Sequence, residues 1–219
     1  MISMIDSQVQ NKLHALYADS KENDPKHREE LNNFDFKGMS ELERYSKLNK
    51  IYMPVNVEFG NLLYSLVRSS RPETIVEFGL SFGISTIFLA AAVKDNGKGK
   101  IITTEFDEGK AAKALLNLKE AGLDEFVEIR IGDALETLKN PMPKQIDMLF
   151  MDGAKGMYMP VLKLIEPSLR AGAIIASDNT DTESLAPYLE YLRSHANGYM
   201  STPIMTKMGS KAQEISIKL

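Results

Sequence analysis

Residues 74–93 read TIVEFGLSFGISTIFLAAAV. Thr74–Phe78 is β-branched and aromatic and reads as a strand. Ser85–Val93 reads as a helix. Between them stands the turn Gly79-Leu-Ser-Phe-Gly83. Glycine permits a tight turn and close backbone approach to a ligand. The helix that follows offers free backbone N–H groups to a carboxylate or phosphate. The spacing is G-x-x-x-G, neither the G-x-G-x-x-G of dinucleotide binders nor a Walker loop. Taken alone, the turn is equally compatible with an ordinary strand-to-helix connection.

Downstream the alternation continues. Strands are expected at Lys100–Glu105, Val127–Ile131, Ile146–Met151 and Ala173–Ala176. Helices are expected at Asp107–Ala121, Ala134–Lys139, Tyr158–Leu169 and Leu185–His195. Met200–Thr206 and Glu214–Leu219 read as a closing pair of strands. Such alternation predicts an α/β fold, a largely parallel sheet wrapped on both faces. Upstream, residues 1–70 read as a helical cap in front of an α/β core at 71–219, the whole 1–219 forming one domain. Val9, Leu13, Leu16 and Tyr17 recur at helical spacing, and Asp19–Pro25 is expected to break that helix. Leu42, Tyr45, Leu48 and Asn49 suggest a second helix, and Pro54 is expected to open a third.

Open α/β sheets bind ligands beyond the carboxyl ends of their strands. After the first strand comes the glycine turn. After the second comes Glu105, whose carboxylate suits the two hydroxyls of a ribose; the plainer reading is a solvated acid before a helix. After the third comes Gly132-Asp133-Ala134, where Asp133 suits an adenine amino group or simply an N-cap. In series, the three describe a pocket for an adenosyl group. After the fourth strand comes Asp152-Gly-Ala-Lys155, and after the fifth Asp178-Asn179. Asp152, Asp178 and Asn179 at adjacent strand ends make an all-oxygen set that suits Mg²⁺. A turn at Asp178-Asn179 and a surface lysine at 155 are the plainer readings.

Composition narrows the classes. The 219 residues hold 26 Lys plus Arg against 30 Asp plus Glu, a net charge of −4, which weighs against a nucleic-acid partner. There is no cysteine, which excludes disulfides, thiolate metal sites and cysteine nucleophiles. The three histidines, His14, His27 and His195, are scattered. The longest strongly apolar run, Ile87–Val93, is far short of the ~20 residues that span a bilayer. MISMIDSQVQNK carries no secretory signature, so no membrane partner and a cytoplasmic address are expected.

IVEFGLSFGISTIFLA, IITTEF, GDALETL, MLFMDGAKGMY and GAIIASDNT together resemble the class I, metal-dependent O-methyltransferases that use S-adenosylmethionine. That group contains catechol and caffeoyl-coenzyme A O-methyltransferases and many small bacterial relatives. The resemblance runs from about Met53 to Leu219. The glycine turn is common to class I methyltransferases, whereas D-x-x-K followed 26 residues after Asp152 by Asp178-Asn179 is particular to the metal-dependent group. It implies a Rossmann-like sheet of seven strands, the last antiparallel, and a homodimer. It implies Asp152, Asp178 and Asn179 as metal ligands and Lys155 as catalytic base. It implies Glu105 on the ribose of S-adenosylmethionine or S-adenosylhomocysteine, Gly79 and Ser85 around the methionine moiety, and Glu77 as the strand-end acid. Asp133 and Ala134 lie on the adenine side, Val55 at the cofactor's amino-acid end, and Asp152 near metal and cofactor alike.

The resemblance implies methyl transfer to a hydroxyl of a small aromatic, catechol-like acceptor. Three features depart from the group: Leu80 and Phe82 in the glycine turn, a short TDTESLAP stretch after Asn179, and the absence of tryptophan. These leave the acceptor's identity open. Three rivals stand beside this reading. One is a transfer-RNA hydroxyuridine methyltransferase using a patch of Lys21, Lys26, Arg28, Lys37, Arg44, Lys47 and Lys50. Another is a non-catalytic adenosyl-binding module, whose mark would be a lost ligand or base. The third is a nicotinamide oxidoreductase, against which the glycine spacing speaks.

Overall fold

The computed structural model describes residues 2–32, 34–207 and 211–219, and the side chains of all of these but Glu41 and Leu42. Seven strands form one sheet: β1 (Thr74–Phe78), β2 (Lys100–Glu105), β3 (Val127–Ile131), β4 (Ile146–Met151), β5 (Leu169–Ser177), β6 (Tyr199–Ile204) and β7 (Gln213–Lys218). Their order is β3-β2-β1-β4-β5-β7-β6. The pairs among β1–β5 are parallel, and β7 runs antiparallel to both its neighbours. This is the Rossmann-like methyltransferase arrangement expected from the sequence.

Side chains alternate across the strands. Ile75, Ile101, Met148, Phe150 and Ile174 face one layer, built by α1 (Ser7–Glu30), α3 (Val57–Ser70), α4 (Ile84–Asn96) and α5 (Glu108–Glu120). Val76, Phe78, Ile102, Leu149, Met151 and Ile175 face the other, built by α6 (Ala134–Thr137), α7 (Tyr158–Ile165) and α8 (Ala186–Leu192). Helix α4 is buried along its whole apolar run, Ile84 to Val93. It lies between the sheet and α3, which explains an apolar stretch without a polar face.

Three expectations need correction. Asp19–Pro25 does not break the first helix: α1 runs through it with Pro25 inside. Its polar residues are paired in place, Lys26 with Glu22 and Asn23 with Asp19, and Asp24 is turned inward for a purpose described below. Pro54 does not open α3: Asn56 does, accepting the Phe59 N–H at 2.7 Å. The helix expected through Leu169 stops at Ile165, and Leu169 already belongs to β5. Helix α2 (Glu41–Lys47) is opened by a reciprocal Ser40–Glu43 capping box. The side chain of Leu42, one of the residues that suggested it, lies outside the described residues.

Candidate active site

The strand ends are laced together one or two residues past the sheet. Leu80 N–H donates to Thr104 O, Gly132 N–H to Glu105 O, Asp152 N–H to Phe78 O and Asp178 N–H to Met151 O, all within 2.8–3.0 Å. This lacing fixes the order of the loops that carry the chemistry. They border one cleft of about 240 Å³ lined by Val55, Gly79, Ser85, Glu105, Asp133, Ala134, Asp152, Lys155 and Asn179. Two of the expected residues lie behind it, Glu77 and Asp178.

Gly79 has φ +107°, and a Cβ there would sit 2.7 Å from the Asp152 carbonyl. The first and fourth strand-end loops touch at this point, so only glycine fits. Ser81 is also left-handed, at φ +49°. Its N–H donates to Glu105 Oε2 at 2.8 Å, and Asp107 N–H donates to Glu105 Oε1 at 2.9 Å. Each carboxylate oxygen keeps a lone pair for a ligand in the cleft. Burial pushes the Glu105 carboxyl above its ordinary range, opposed by these N–H groups and by Lys110. Asp133 caps α6, its Oδ1 accepting Leu135 N–H at 2.9 Å, and it lines the cleft as well.

Glu77 is fully buried beneath the cleft floor. Ser85 and Thr86, at the start of α4, and Thr103 on β2 donate to it at 2.7, 2.6 and 2.6 Å. Burial drives its carboxyl upward despite the three hydroxyls. Its role in the structure is to hold the start of α4 against β1 and β2.

Lys155 reaches three acceptors: Asp152 Oδ1 at 3.3 Å, Tyr158 Oη at 2.7 Å and the Asp178 carbonyl at 3.4 Å. Its side chain is 18% exposed and that of Asp152 14%. Tyr158 is fully buried, and its Oη also lies 2.7 Å from Met151 O and 3.1 Å from Asp178 O. Burial pushes Asp152 up to about 8, with Lys155 opposing and the charges of Asp178 and Glu77 assisting. Asp178 is raised too, by burial, against hydrogen bonds from Gln213 and Asn179 and the charge of Lys155. Gln213 Nε2 reaches Asp178 Oδ1 at 3.0 Å.

Among the described residues no three His, Cys, Asp or Glu side chains gather as a metal group. The candidate set is two carboxylates and an amide. Its chemistry fits a divalent cation: two carboxylates, both raised by burial, face a single ammonium and, with the amide oxygen, offer hard oxygen donors.

Sequence reasoning named only Val55 of the wall formed by residues 51–55. Tyr52 stacks on Phe82, with ring centroids 4.0 Å apart. Lys110, 5% exposed, donates to Ile51 O at 2.9 Å and lies 5.3 Å over the Phe82 ring. Asp24 of α1 accepts the N–H groups of Tyr52 and Met53 at 2.8 and 3.1 Å, and Tyr17 Oη donates to Val55 O at 3.0 Å. Phe82 was legible as an oddity in the glycine turn. Lys110 carried no signal, because lysine on a helix is nearly always solvated.

Residues 76–180 match the sequence model of a family described as a methyltransferase domain. The match includes every candidate site residue except Val55. A catechol O-methyltransferase of Niastella koreensis is 34% identical over 123 residues, covering 55% of this chain and 55% of that protein. A catechol O-methyltransferase B of Danio rerio is 29% identical over 162 residues, covering 71% and 61%. The chain thus spans 55–61% of the length of these curated relatives. A solved O-methyltransferase of Bacillus cereus in complex with S-adenosylhomocysteine superposes with TM-score 0.70 at 23% identity, covering 87% of this chain and 96% of that one. One of Streptomyces achromogenes in complex with S-adenosylmethionine gives TM-score 0.68 at 23% identity, covering 91% and 98%. These structural likenesses establish the fold. The sequence matches bear out the resemblance to class I O-methyltransferases read from the motifs.

Proposed function

We propose that the protein is an S-adenosylmethionine-dependent O-methyltransferase acting on a hydroxyl of a small aromatic, catechol-like acceptor. One observation carries the reading: Gly79, Glu105 and Asp133 border the same cleft as Lys155, Asp152 and Asn179. A cofactor laid along the first three residues brings its sulfonium toward the last three. Glu105 accepts the ribose hydroxyls through its two remaining lone pairs. The start of α4, held by Glu77, receives the methionine end together with Val55. Ala134 and Asp133 border the adenine.

Asp152, Asp178 and Asn179 are the residues that would hold Mg²⁺. Bound there, the ion supplies Lewis acidity that favours an ionised acceptor oxygen. A phenol with a pKa of ~10 is otherwise mostly neutral at pH 7. Lys155 Nζ takes the hydroxyl proton. The oxygen then forms its bond to the methyl carbon as the carbon–sulfur bond breaks, leaving S-adenosylhomocysteine and the aryl methyl ether. To act as base, Lys155 must first release a proton to solvent, and with it one of its three donated hydrogen bonds. Tyr158 Oη and the Asp178 carbonyl hold the nitrogen in place as it does so.

A small-molecule acceptor is favoured over transfer RNA because the proposed basic patch is dispersed. Lys26 pairs with Glu22, Lys50 with Glu30, and of the seven residues none but Arg44 borders a cavity of the site. Every expected ligand and the base are present, which favours an enzyme over a silent binding module. Turnover of catechol with S-adenosylmethionine should stop in excess chelator and return with Mg²⁺. Undiminished turnover in chelator would remove the metal from the reading.

A further inference from the structure

A second, smaller cavity adjoins the cleft, lined by Arg44, Tyr45, Leu48 and Lys155. Tyr45 and Lys155 line the cleft as well, so the two spaces meet at the end bearing Lys155. Two cations border the small cavity, and they differ in occupation. Lys155 has its three donors directed to Asp152, Tyr158 and the Asp178 carbonyl. Arg44 is exposed, and its guanidinium lies 5.9 Å from the centre of the Phe36 ring. Among the described residues no carboxylate pairs with it. Glu43, beside it on α2, is turned back to the helix start, where Ser40 N–H and Oγ–H both donate to it at 2.8 Å.

We infer that the acceptor carries a carboxylate on a short chain from its aromatic ring, received by Arg44 in this side cavity. The inference rests on the reading of the cleft as a hydroxyl-methylating site and adds the charge of the substrate to it. A guanidinium offers a planar fork of donors that matches a carboxylate, and the cation–π contact with Phe36 restrains the side chain that carries it. Leu48 and the Tyr45 ring supply the apolar walls that an aryl group and its methylene chain require. The protein carries a net charge of −4. A cation without a carboxylate partner gives an anion a local point of entry, and among the described residues Arg44 is such a cation bordering the side cavity. A single such cation suits one carboxylate and falls well short of the several phosphate contacts that nucleic-acid binding uses.

The test compares 3-(3,4-dihydroxyphenyl)propanoate with its uncharged primary amide, and with catechol, using S-adenosylmethionine and Mg²⁺. The parent protein should show kcat/KM for the acid about five- to thirtyfold above that for the amide. This is the scale of a charged hydrogen-bonded pair reduced by solvent screening. The difference should lie in KM. Arg44→Gln should bring the acid-to-amide ratio near one, and Arg44→Lys should restore part of it. The amide controls for folding of each variant. Equal kcat/KM for acid and amide in the parent, or a ratio unmoved by Arg44→Gln, overturns the inference while catechol turnover leaves the methyltransferase reading standing. No methylation of any of the three compounds overturns both.

Discussion

Glu105→Ala acts on two levels that can be measured apart. In the cofactor complex it removes the acceptor of the ribose hydroxyls. A hydrogen bond to a charged group contributes ~1.5–3 kcal/mol, so S-adenosylhomocysteine should bind about 10- to 150-fold more weakly. In the free protein the same carboxylate accepts from Ser81 N–H and Asp107 N–H at 2.8 and 2.9 Å. Its loss leaves the left-handed Ser81 without that tether and Lys110 without its strongest counter-charge. Orphaning part-buried N–H groups costs about 1–3 kcal/mol of stability. Denaturant unfolding of the free protein measures the second effect. Calorimetric titration with S-adenosylhomocysteine, at a temperature where the variant is folded, measures the first. Cofactor affinity equal to that of the parent in a folded Glu105→Ala protein would refute the placement of the ribose.

Three further outcomes are expected. Gly79→Ala should cost about 2–4 kcal/mol of stability, since it adds strain at φ +107° to a 2.7 Å approach to the Asp152 carbonyl; a variant with the parent's melting temperature would show that the two loops do not meet. Lys155→Met should slow single-turnover methyl transfer by about 10²–10⁴ at saturating cofactor. Lys155→Arg should be as slow if the residue is a base, and should retain activity if it is only a fixed charge. Burial raises Asp152 from its ordinary 3.8 to about 8. The metal-free folded protein therefore holds a proton that the unfolded chain releases, and stability falls as pH rises across that window. Thermal melts from pH 5 to 8.5 in chelator should show this fall, and Asp152→Asn should flatten it; an unchanged slope in the variant assigns the proton elsewhere.

The strands were the most legible part of the chain. β1, β2 and β4 begin and end where the apolar runs do, because parallel strands buried on both faces have little polar alternation to blur them, and the edge strand β3 shows instead the alternation of Val127, Ile129 and Ile131 with Glu128 and Arg130. The N-terminal helices were less so. Asp19–Pro25 looks like a breaker by composition, yet Asp24 is buried to hold Tyr52 N–H and Met53 N–H 28 and 29 residues away. No local pattern announces a partner so distant. For the site, order along the strand ends was enough to gather Gly79, Glu105, Asp133, Asp152 and Lys155 around one cleft. Depth was not legible: Glu77 and Asp178 sit a layer behind, because inward or outward pointing at a strand end depends on packing against α4 and β7.

The most direct test follows the methyl group. The protein is incubated with S-adenosylmethionine carrying a ¹³C-labelled methyl, Mg²⁺ and catechol, and both products are observed together. The account predicts a labelled aryl methyl ether and unlabelled S-adenosylhomocysteine in equal amounts, with no transfer by Lys155→Met on the same timescale. Bound cofactor that stays fully labelled, with no ether formed from any hydroxylated aromatic offered, would contradict it.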